Sequence, residues 1–160
     1  MESGSGRFSF LYRQGEGYLT PREWVLASLP PIAILVLMTV IWFSIAPSGP
    51  RDLATQEFFD PKVFAAFVYL PIYTLAIFLC AAAQYFVSAK RFADRAMPRS
   101  LAGIAPLSIL VAGAAHWYQP RSEGLAPAWV PLAFDALALL AISWTIAELG
   151  FGASRRPKSP

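Results

Sequence analysis

The sequence predicts an all-α, polytopic membrane protein with four transmembrane helices in one bundle and both termini cytoplasmic. The first observation behind this is composition. Of 160 residues, 56% are hydrophobic and only 14% charged, with a mean hydropathy of +0.49. A soluble domain carries about 25% charged residues, so this chain has too little polar surface to cover a water-soluble globule. The second observation is where charge is missing. Uncharged runs cover 24–50, 63–89 and 100–120, of 27, 27 and 21 residues, and a bilayer span needs roughly 20. Runs 124–134 and 136–147 are separated by Asp135 alone. The third is the placement of lysine and arginine. Ten of the 13 fall before the first span (Arg7, Arg13, Arg22), between the second and third (Lys90, Arg91, Arg95, Arg99) and after the fourth (Arg155, Arg156, Lys158). Only Arg51, Lys62 and Arg121 fall in the other two loops. With four spans the ten lie on one side, which the positive-inside rule makes cytoplasmic.

Each element follows in order. Residues 1–22 form a polar, Gly-rich cytoplasmic segment whose Phe8, Phe10 and Tyr12 are suited to rest on lipid headgroups. The first span, 24–46, is too long for a secretory h-region and is followed at once by Pro47, so it reads as uncleaved. A proline-bearing connection, 47–62, leads to the second span, 63–89, whose helix continues through 90–95. A turn around Met97-Pro98-Arg99 precedes the third span, 100–118, and the loop 119–124 precedes the fourth, 125–147. The spans and their short loops make one transmembrane domain, 23–150, followed by a basic cytoplasmic tail, 151–160. All five tryptophans (Trp24, Trp42, Trp117, Trp129, Trp144) lie near a proposed helix end, the aromatic-belt pattern. Prolines inside each span are tolerated because neighbouring groups in a membrane bundle take up the freed backbone.

The segment Lys90-Arg91-Phe92-Ala93-Asp94-Arg95-Ala96-Met97-Pro98 resembles the Arg-Arg-Leu-His-Asp element of a bacterial inner-membrane family, domain of unknown function 805. Thr20-Pro21-Arg22-Glu23-Trp24 is similar to that family's Arg-x-x-Phe-Trp lead into its first helix, and Glu148-Leu149-Gly150-Phe151 to its departure from the fourth. Ala93 stands where the family has histidine, and the family's Gly/Asn/Tyr-rich tail is replaced by Ala153-Ser154-Arg155-Arg156-Pro157. The resemblance implies a small four-helix protein of the bacterial inner membrane and carries no catalytic residues with it.

The chemistry-bearing residues are few. Cys80 is the only cysteine, so no intrachain disulfide can form, and His116 is the only histidine. One chain cannot supply paired histidines to a haem or a zinc site, and no cofactor or metal is expected. His116, beside Trp117 and Tyr118, reads as an interfacial belt residue, the alternative being a ligand for a pigment brought by a partner. No Gly-rich phosphate loop or Ser/His/Asp set is present, so the chain is read as a non-enzyme, and a nucleic-acid partner is excluded by class.

Two constellations stand out. On a continued helix Lys90 and Asp94 pair at i, i+4, while Gln84, Ser88, Arg91 and Arg95 form one stripe. Lys90, Arg91, Asp94, Arg95 and Arg99 then make a dock for anionic headgroups or a protein partner, because juxtamembrane basic residues attract anionic lipid. The alternative is a topology anchor with a local salt bridge to Glu23 or Glu148. The second constellation is Asp135, the one acid inside a span. Its depth, ten residues from the outer end of 125–147, matches that of Tyr73 and Ser108, so it is expected to face the bundle interior and hydrogen-bond to one of them. These features point to an accessory or structural subunit that packs against lipid or a larger inner-membrane complex. The alternative is a small oligomeric transporter or proton-coupled carrier using Asp135.

Overall fold

A computed structural model describes residues 4–46, 59–122 and 124–155. Among them all regular structure is helical, and four helices are long and apolar enough to cross a membrane. The connection 47–58, with Arg51, and the tail end 156–160, with Arg156 and Lys158, lie outside the described residues.

The amino-terminal segment, read above only as polar chain, is a helix, α1 (Gly4–Arg13). The next helix, α2 (Pro21–Ile45), opens on a capping box. The Glu23 backbone N–H donates to Thr20 Oγ1 at 3.3 Å, and the Thr20 N–H donates to Glu23 Oε2 at 2.9 Å. Pro21 occupies the first helical position, where its missing N–H costs nothing. Leu19 and Trp24, both buried, flank the cap as a hydrophobic staple.

α3 (Pro61–Asp94) is 34 residues long, about 51 Å at 1.5 Å per residue. That exceeds a hydrocarbon core of about 30 Å, so its basic last turns stand clear of the apolar stretch. It stops at Ala96, which takes a φ of 57°. The Met97 N–H donates to Phe92 O and the Ala96 N–H to Ala93 O, at 2.9 and 3.0 Å. This is a Schellman closure with alanine where glycine is usual, and Pro98 follows it. A 3₁₀ turn (Arg99–Gly103) leads into α4 (Ile104–Tyr118). α5 (Trp129–Ile146) ends in a π-helical turn, Ala147–Phe151. The helix therefore starts four residues later than the span 125–147 expected from hydropathy. Gly124 at φ 90° and Pro127, which restricts the residue before it, hold 124–128 out of the helix.

The chain divides into two packed units, Met1–Ser28 with Ala82–Pro160, and Leu29–Ala81. In the first, α4 and α5 pack along one another. Its core joins Leu19, Trp24 and Ala27 to Val87, Ala89, Phe92, Ala102 and Leu149, with Phe10, Leu11 and Tyr12 of α1 packed against it. In the second unit tyrosines do the joining. Tyr69 Oη donates to Met38 O at 2.8 Å, Tyr73 and Thr39 hydroxyls lie 2.8 Å apart, and Trp42 stacks on Tyr73.

Candidate functional site

The basic end of α3 is internal. Lys90 and Arg91 are fully buried, and Asp94 and Arg95 are each 6% exposed. This corrects their reading as a dock for headgroups: of that set only Arg99 is exposed. The physical reason is that backbone carbonyls and the carboxyl-terminal segment reach these groups before lipid can.

Each buried cation has its own receptor. Lys90 Nζ donates to Leu11 O and Phe86 O, both at 3.1 Å, and to Gln14 O, while lying 5.1 Å from the Phe10 ring centre. Leu11 and Gln14 mark the carboxyl-terminal end of α1, where carbonyls lack helical partners and the helix dipole favours a cation. Lys90 thus caps α1 and does not pair with Asp94 as i, i+4 spacing suggests. Asp94 is taken instead by Arg91, one turn away, and by the Ser154 hydroxyl. Arg91 Nε also donates to Leu149 O at 2.9 Å, Nη1 to Ser154 Oγ at 3.2 Å, and Nη2 to Gly152 O. The Arg155 N–H donates to Asp94 O at 3.1 Å, completing the strap of 149–155 across the end of α3. Arg95 pairs with Glu148 at 2.5 Å and donates to the Glu148 carbonyl at 2.9 Å. Of the two acids considered for a local salt bridge, Glu148 makes it, because Glu23 is engaged in the cap of α2. Gly152 lies against the Arg95 guanidinium, and a Cβ there would collide with it.

The expected stripe separates into two clusters. Arg91 and Arg95 belong to the strap. Gln84 Nε2 donates to Ser28 Oγ at 3.1 Å and to Ser88 Oγ at 3.3 Å, and Trp24 Nε1 donates to Ser88 Oγ at 3.3 Å. Gln84 Oε1 is buried with no hydrogen-bond partner among the described residues.

α1 is fastened a second time through proline chemistry. Pro31 has no N–H for the carbonyl of Ala27, four residues earlier. Tyr12 Oη donates to that carbonyl at 3.0 Å. Burial raises the Tyr12 phenol above its ordinary pKa.

Asp135 meets His116, with Oδ2 and Nε2 2.8 Å apart. Neither expected partner is used. Ser108 Oγ donates to Ala105 O at 2.8 Å, and Tyr73 bonds Thr39 in the other unit. The later start of α5 explains the error. Asp135 is six residues from Trp129, about 9 Å of helix rather than about 15 Å, which moves it up to the level of His116, two residues before the end of α4. The two side chains keep 55% and 40% of their surface exposed. Which of the two atoms donates in this hydrogen bond depends on the imidazole tautomer. Among the described residues no group of three or more His, Cys, Asp or Glu side chains could hold a metal ion.

Compared with protein-family models, with curated proteins and with solved structures, the chain matches none of them.

Proposed function

We propose that this chain is a non-enzymatic integral membrane protein of the bacterial inner membrane, related to the domain of unknown function 805 family. On this reading its four spans form one bundle with both termini cytoplasmic, and it serves as an accessory or structural subunit packed against lipid or a larger complex. One observation carries the reading. The buried charges at the end of α3 are engaged in holding α1 and the segment 149–155, while the spans present large apolar side chains outward, among them Phe43, Phe67, Leu107 and Leu140. A protein built this way offers its surroundings an apolar surface. Anionic headgroups are left to exposed Arg99 and the basic tail. Co-purification in mild detergent with quantitative mass spectrometry tests it: a stoichiometric membrane partner is expected, and a strictly lone monomer would overturn the subunit reading. Orientation is tested by cysteine labelling at position 56 on a background lacking Cys80, with reaction expected only from the outside.

The His116–Asp135 contact favours a second reading, a small oligomeric proton-coupled carrier. Proton flux into liposomes containing the purified chain, lost in Asp135→Asn, would support it over the first.

A further inference from the structure

Beneath α1, where α2 begins, lies a cavity of about 160 Å³. Its polar lining is Arg7, Glu23 and Tyr12, and its apolar lining includes Phe10, Leu19 and Leu26. The state of the three polar groups is informative. The Tyr12 hydroxyl is engaged by Ala27 O, so its ring serves as wall. Glu23 Oε2 is fixed by the N–H and hydroxyl of Thr20, at 2.9 and 2.8 Å, which holds the carboxylate in one orientation and leaves Oε1 free of hydrogen bonds among the described residues. Arg7 makes no ion pair within 4 Å among the described residues, with Glu23 or any other acid. Arg7 and Glu23 thus line one cavity with no ion pair between them.

The cavity also has a defined level. The membrane-crossing helix starts at Pro21, Trp24 lies in the same turn as Glu23, and Leu26 is more than half exposed on the side of the apolar stretch. Trp24 itself is turned into the core, so the level is set by the start of the apolar stretch, where headgroups meet the hydrocarbon.

We infer that this cavity is a binding site for a zwitterionic phospholipid headgroup bearing a primary ammonium, its phosphate on Arg7 and its ammonium on Glu23, with an acyl chain leaving along Leu26. The charge pattern selects this class. A guanidinium takes phosphate oxygens in a fork, and an ammonium presents N–H donors to a carboxylate. An anionic headgroup without an amine would leave Glu23 unmatched, and a quaternary amine has no N–H to give it. The inference rests on α2 crossing a membrane, as the proposed function does, but not on the existence of a protein partner.

The test is native mass spectrometry of the full chain released from detergent with equal amounts of phosphatidylethanolamine, phosphatidylcholine and phosphatidylglycerol. Phosphatidylethanolamine should be retained about three- to fivefold over the other two, the range open to exposed ion pairs. Glu23→Gln keeps a capping residue at that position but removes the charge, and should abolish the preference. Arg7→Gln should lower retention of all three lipids. O-phosphoethanolamine, which has the headgroup and no acyl chain, should not displace the bound lipid. Equal retention of the three lipids by the native chain, an unchanged preference in Glu23→Gln, or displacement by O-phosphoethanolamine would each overturn the site. Extraction of the chain from membranes by alkaline carbonate is a separate outcome, which would overturn the membrane reading itself.

Discussion

Arg91 and Asp94, one turn apart on α3, form a buried ion pair whose remaining hydrogen-bonding capacity is taken up by the carboxyl-terminal segment. Removing one partner of such a pair leaves an uncompensated charge, which typically costs about 3–5 kcal/mol. Arg91→Leu should approach that figure, because it abandons Asp94 together with the carbonyls of Leu149 and Gly152. Asp94→Asn keeps an oxygen to accept from Arg91 and Ser154 but leaves the buried guanidinium without its counter-charge, so it should cost about 3 kcal/mol, the lower end of that range. Unfolding in detergent, followed by helical circular dichroism, measures both. Equal losses in the two variants would show that the strap does not depend on Arg91.

Ala96 closes α3 at a φ of 57°, a region that costs a residue with a Cβ about 1–2 kcal/mol. Ala96→Gly relieves that strain but loosens the unfolded chain, so the net gain should be about 0.5–1 kcal/mol. Thermal melting of the two proteins reads it directly, and a lower midpoint for Ala96→Gly would show that the turn is held by contacts other than its backbone bonds.

The link between α1 and α2 should respond to alkali through Tyr12. Burial raises its phenol above the ordinary value of 10.0. A group whose folded-state pKa is raised contributes stability that is complete below the unfolded value and is lost as pH rises through the folded one. The contribution of this phenol to stability should therefore be constant up to about pH 10 and fall above it. Tyr12→Phe should be less stable by about 0.5–1.5 kcal/mol below pH 10, because the Ala27 carbonyl freed by Pro31 loses its donor. The part of the alkaline fall that belongs to this phenol should vanish with it. An identical alkaline slope in the two proteins would assign the fall to other groups.

The helices long and apolar enough to cross a membrane were legible because their signal is long and local: an uncharged run of 27 residues has few other readings. The end of α3 was half legible. Its continuation through Asp94 and the choice between Glu23 and Glu148 could be posed from spacing, but burial of Lys90 could not. That burial depends on α1, whose ten residues lie 77 to 86 positions away in sequence from the lysine they cover. The capping box Thr20-Pro21-Arg22-Glu23 was present as a pattern and would have shown that Glu23 was already engaged. The freed carbonyl of Ala27 could also have been derived from Pro31, although its partner could not. The start of α5 was misjudged because hydropathy counts Leu125 and Ala126 as span, while Gly124 and Pro127 decide the backbone.

The start of α5 at Trp129 bears on Asp135. A carboxylate at the centre of a span costs about 2.5–3.5 kcal/mol on insertion scales. Six residues from the start of α5, and hydrogen-bonded to His116 at 2.8 Å, it sits nearer the helix end with a partner of its own. If the contact is what makes Asp135 tolerable, breaking it from the histidine side must expose the cost. His116→Leu should destabilise the chain by about 1–3 kcal/mol, the penalty for a stranded polar group. Because both side chains keep surface exposed, the lower end of that range is expected. Asp135→Asn still offers an oxygen and an N–H to the imidazole and should stay within about 1 kcal/mol of the native chain. The double variant Asp135→Leu with His116→Leu should recover most of what His116→Leu loses, because no polar group is left alone. Unfolding midpoints of the native chain, His116→Leu, Asp135→Leu and the double variant give the coupling between the two residues. A coupling of zero would mean that the pair contributes nothing to stability. Proton flux lost in a well-folded Asp135→Asn would then assign it to proton handling.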